Sequence, residues 1–67
     1  MTYHFIITLA VPGGMANYDA TYKPKPGDTR KDIYREIRAW AIQESGGQDA
    51  AVAFFSLEPN DLPGDAR

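Results

Sequence analysis

The 67-residue sequence predicts an α+β domain of order ββαβ: a three-stranded antiparallel sheet, spatial order 2-1-3, with one helix packed on one face. Three observations carry this. Between Asp28 and Ser45 the apolar residues Ile33, Ile37, Trp40 and Ala41 recur at i, i+4, i+7 and i+8, the stripe one side of a helix buries. Tyr3 to Val11 and Ala51 to Leu57 are apolar, β-branched and aromatic runs of strand character. Pro12-Gly13-Gly14 marks a turn that sends the chain back through Met15 to Tyr22.

In the first strand Tyr3, Phe5, Ile7, Leu9 and Val11 alternate with His4, Ile6, Thr8 and Ala10, so the bulky set faces the helix. On the second, Ala16, Tyr18, Ala20 and Tyr22 share one side and Asn17, Asp19 and Thr21 the other, as on an edge strand with a polar outer face. Lys23-Pro24-Lys25-Pro26-Gly27 is a stiff connector, because each proline fixes its own φ and holds the preceding residue extended. Asp28 or Thr29 can cap the helix; with Thr29 at the N-cap, Asp32 falls at N3, a variant of the capping box. Gly46-Gly47 supplies the left-handed residue that closes helices. The last strand is apolar on both sides, Val52 and Phe54 pointing one way and Ala53, Phe55 and Leu57 the other, which suggests a central or doubly covered strand.

A helix laid across one face lets the third strand pair beside the first through a right-handed crossover. Residues 1–58 form the single domain, and 59–67, with two prolines, a glycine and acidic side chains, form a flexible tail. The length is near the lower limit for a core without staples, and the absence of cysteine excludes disulfides, Cys-rich zinc sites and thiol catalysis. No apolar run approaches the about 20 residues of a membrane span, and no signal-peptide pattern opens the chain, so a cytoplasmic protein is the expectation.

The segment Pro26-Gly27-Asp28-Thr29, followed by Ile33 and Ile37, resembles the junction of ubiquitin-like β-grasp proteins, where a hairpin leads through such a cap into the helix and on to a short strand. Met1 to Leu9 resembles that family's first strand, and Phe54-Phe55 followed by Leu62 and Arg67 its third. The family's final strand and its C-terminal Gly-Gly tail have no counterpart. The resemblance therefore implies a minimal grasp, an architecture without the reactive terminus of conjugation.

No motif assigns a catalytic chemistry. His4 is the only histidine and no acidic residue stands at a spacing that guarantees it a partner; Ser45 and Ser56 lie in no nucleophile elbow. Glu58, Asp61 and Asp65 lack the spacing of a calcium loop, and Gly13-Gly14 lacks the Gly-Lys-Ser/Thr ending of a phosphate loop. Neither a catalytic group, a cofactor nor a metal is expected.

Two surfaces remain. The uncovered sheet face should carry His4, Ile6, Thr8 and Ala10, with either Val52 and Phe54 or Ala53 and Phe55 beside them. If the helix takes Phe55 and Leu57, then Ile6, Val52 and Phe54 form an exposed apolar patch. The leading expectation is thus a non-enzymatic protein-interaction or regulatory module that forms a homodimer or docks on a larger protein, using His4, Ile6, Thr8, Val52 and Phe54. The second surface is basic. The net charge is −2, yet Lys23, Lys25, Arg30, Lys31, Arg35 and Arg38 give residues 23–38 a positive excess, while residues 44–67 are acidic. Lys31, Arg35 and Arg38 fall at i, i+4 and i+7, so an anion-binding or nucleic-acid-associated regulator is the alternative. An overall acidic chain, pI about 5.1, argues against that alternative.

Overall fold

The structure, a computed structural model, describes residues 1–62. It comprises strands β1 (Tyr3–Val11) and β2 (Gly14–Tyr22), helix α1 (Arg30–Glu44) and strand β3 (Ala51–Pro59). The strands form one antiparallel sheet in the order β2-β1-β3. This is the α+β architecture expected from the sequence.

The β1–β2 hairpin closes through Pro12 and Gly13. Proline presets φ at the second turn position, and Gly13 at φ +89° supplies the positive φ of the third, as a type II turn demands. The turn fixes the register, with Val11 opposite Gly14 and Tyr3 opposite Tyr22, so each face of the hairpin is specified from the loop outward.

Helix α1 is closed at both ends by its own sequence. Thr29 is the N-cap: its side chain accepts from the Asp32 backbone N–H at 3.2 Å, and the Asp32 carboxylate accepts from the Thr29 N–H at 3.0 Å, completing the capping box. Asp28 instead accepts from the Lys25 N–H at 2.9 Å and so braces the end of the proline connector. At the other end Gly47 N–H donates to the Ile42 carbonyl at 2.8 Å and Gly46 N–H to that of Gln43 at 3.3 Å, the paired bonds of a Schellman motif. Gly46, the first residue past the Ser45 cap, has a φ of +115°, the positive value the motif requires there.

The core is one layer between helix and sheet. Phe5, Ile7 and Leu9 from β1 meet Ile33, Ile37 and Ala41 from α1, with Val52, Phe55 and Leu57 of β3 and Tyr18 and Tyr22 of β2 packed around them. Trp40, expected within the buried stripe, is instead 41% exposed. It sits one step off the Ile33–Ile37–Ala41 line, and its indole closes the β2 side of the core edge-on against Phe5 and Tyr18, centroids 5.8 and 5.5 Å away.

Strand β3 lies at the sheet edge, as the expected order 2-1-3 requires, but differs from a doubly covered strand in two ways. It is covered by the helix on one face only, its other face carrying the exposed Phe54. It also contains a β-bulge. Thr8 pairs with Phe54 but Leu9 with Val52, so Ala53 is an extra residue with no partner of its own. The bulge inverts the alternation beyond it. Val52 therefore joins Phe55 and Leu57 on the helix side rather than Phe54 on the open side. The strand runs through Pro59, and Asn60 N–H donates to the Thr2 carbonyl at 2.9 Å. Of the expected tail, residues 63–67, Asp65 and Arg67 among them, lie outside the described residues.

Candidate functional site

The open face of the sheet follows from the register. Directly paired residues of antiparallel strands share a face, so His4, Ile6, Thr8 and Ala10 lie with Thr21, Asp19, Asn17 and Met15 on one side and with Glu58, Ser56, Phe54 and Ala51 on the other. Of the residues expected here, His4, Ile6, Thr8 and Phe54 are brought together. Val52 is not: the bulge at Ala53 turns it to the core, and the reason is backbone geometry that side-chain alternation alone cannot show.

This face has two halves. Between β1 and β2 it is polar and internally bonded: Thr8 Oγ1 donates to Asn17 Oδ1 at 2.7 Å, and His4 Nε2 lies 3.1 Å from Asp19 Oδ2. Between β1 and β3 it is mixed, with Ile6 opposite Ser56 and Thr8 opposite Phe54, which is 54% exposed. Glu58 stands directly across from His4 on β3.

The His4–Asp19 pair escaped the sequence analysis. Counting back from the Pro12-Gly13 turn places His4 opposite Thr21 and diagonal to Asp19, so the signal lay in the hairpin register rather than in sequence spacing. Among the described residues His4 has no second hydrogen-bond partner and no three His, Cys, Asp or Glu side chains converge as a metal site.

The basic residues are divided rather than gathered. On the β2 side of α1, Lys25 Nζ donates to Glu36 Oε2 at 3.1 Å and Tyr22 Oη donates to the same oxygen at 2.8 Å. The Tyr22 hydroxyl and then Lys25 hold the Glu36 carboxyl below its ordinary range, and the same contact raises the Lys25 ammonium. On the β3 side, Arg30 stacks over the Phe55 ring, 5.1 Å from its centroid, and Tyr34 meets that ring edge-on at 4.9 Å. Lys25 and Arg30 thus serve the packing of opposite flanks of the helix. Lys23, Lys31, Arg35 and Arg38 have no acidic partner within ion-pair distance among the described residues.

Two clefts, about 340 and 440 Å³, lie between helix and sheet, one lined by Tyr3, Arg30 and Leu57 and the other by Tyr22, Glu36 and Trp40. Among the described residues no helix is long and apolar enough to cross a membrane. Comparison with protein-family models, curated proteins and solved structures finds no match for this chain.

Proposed function

We propose that this chain is a small non-enzymatic protein-interaction module that docks, on a larger protein or on a second copy, through the open face of its sheet. One observation carries the reading. Phe54, 54% exposed, lies with Ile6 and Thr8 on a face that no described residue covers. An exposed aromatic on the same uncovered face as a half-buried isoleucine suits an interface, and docking adds stability that a single thin core lacks. The likeness to a minimal β-grasp belongs to the same reading, as architecture alone.

Light scattering of the purified protein at high concentration, with pull-down of bound proteins from the native host, tests it with wild type and Phe54→Ser. Self-association or a captured partner that is lost in the variant supports the reading. A strict monomer whose captured proteins are unchanged by Phe54→Ser removes it.

A second reading, an anion or nucleic-acid contact through the helix, is favoured by Lys31, Arg35 and Arg38, which have no acidic partner among the described residues. Binding to mixed DNA and RNA that disappears in Arg35→Glu/Arg38→Glu would promote it over the first.

A further inference from the structure

Positive charge is confined to one side of this molecule, while carboxylates occur on both. Every described lysine and arginine lies in the connector at Lys23 and Lys25 or on α1 at Arg30, Lys31, Arg35 and Arg38. None of the open-face positions on β1, β2 or β3 is a lysine or arginine. That face instead holds two carboxylates. Asp19 on β2 is directly opposite Ile6, and Glu58 on β3 is directly opposite His4, so one acidic group stands on each side of the central strand. His4, bonded to Asp19, is the only base among them.

We infer that the occupant of the open face is a cationic amphipathic helix from a different protein, its apolar stripe on Ile6 and Phe54 and its flanking lysines or arginines on Asp19 and Glu58. The inference rests on the docking reading above and names the partner's chemistry. Size supports a single helix: three strands of this length present a strip roughly 14 Å by 30 Å, which one helix about 10 Å across fills. The covered face shows the same capacity, since it carries one helix of 15 residues. Charge complementarity sets the sign. A second copy placed face to face would bring four carboxylates together without a lysine or arginine to meet them, and a nucleic acid would meet the same repulsion.

The test is selection of a phage-displayed library of random peptides as long as α1 on the immobilised full chain, followed by titration of the winning peptide. The expected winners combine apolar residues with lysine or arginine. Their binding is weakened roughly fivefold by Asp19→Asn/Glu58→Gln, as loss of two exposed ion pairs would do. It is abolished by Phe54→Ser and unchanged by Arg35→Glu/Arg38→Glu. The amide variants preserve an acceptor for His4 and lie on the surface, and circular dichroism confirms their fold. Winners that are acidic or uncharged, or that need Phe54 but ignore the two carboxylates, overturn the cationic partner while leaving the docking face standing. A wild-type dimer made monomeric by Phe54→Ser has the same meaning, with a second copy as occupant. Winners indifferent to Phe54, or no enrichment over an unrelated protein, overturn both.

Discussion

Ile6 and Ile7 are chain neighbours of identical chemistry on opposite faces of β1, and truncating each in turn measures the asymmetry of the sheet. Ile7 is 0% exposed and at the centre of the core. Ile7→Ala deletes three carbons, each worth about 0.8 kcal/mol of transfer free energy. The cavity left between β1 and α1 raises the cost to about 3–4 kcal/mol. Ile6 is half-buried and faces no second layer, so the same deletion there leaves no cavity and costs about 1 kcal/mol or less. For a domain this small, total stability is of order 3–10 kcal/mol, so Ile7→Ala is expected to sit near the edge of folding and Ile6→Ala well inside it. Urea unfolding followed by circular dichroism, with Trp40 fluorescence as a second probe, measures both. Equal losses at the two positions would refute a sheet covered on one side. A loss at Ile6 that grows with protein concentration would mean that association buries it.

Three further outcomes are expected. Thr29→Ala removes the side-chain half of the capping box and should cost about 1 kcal/mol in urea unfolding, with Thr29→Ser restoring it; an unchanged midpoint would show that the box does not hold the helix start. Deleting Ala53 removes the bulge while keeping Val52 opposite Leu9 and Phe54 opposite Thr8, so it should be tolerated within about 1 kcal/mol, whereas deleting Ser56 forces a residue pair onto the wrong face; similar thermal midpoints for the two deletions would contradict the register. The carboxyls of Glu36 and Asp32 are both held below their ordinary values of 4.5 and 3.8, by Tyr22 and Lys25 in one case and by Thr29 in the other. Their contribution is complete above those values and is lost as pH falls through the lower folded ones, so stability should decline on acidification below about 4.5 and Glu36→Gln should flatten the upper part of that decline.

Local signals made most of the architecture legible. Helix limits, the Thr29–Asp32 cap and the Gly46-Gly47 stop are determined by residues within a few positions of one another, and the Pro12-Gly13 turn fixes the register of the hairpin it closes. What escaped was set across strands. The bulge at Ala53 arises from how β3 meets β1, and no alternation pattern within Ala51–Leu57 announces it, so Val52 was expected on the face that it does not occupy. Trp40 shares the helical period of the buried stripe, yet it lies at the margin of the core, edge-on to Phe5 and Tyr18 and 41% exposed. The basic residues of 23–38 form one cluster in sequence, but the connector and the helix place Lys25 and Arg30 on opposite flanks of α1, each in its own contact. The presence of Ile6 and Phe54 on one open face was within reach from the period of two in each strand.

One face of the sheet meets the helix, and no described residue packs on the other. Nuclear magnetic resonance of the isolated chain in the presence of a soluble paramagnetic chelate reads it directly, atom by atom. Strong relaxation of the Ile6 methyls and the Phe54 ring, with the methyls of Ile7, Leu9 and Val52 shielded, is the expected result. Ile6 and Phe54 as well shielded as Ile7, at a concentration where the chain is monomeric, would contradict it.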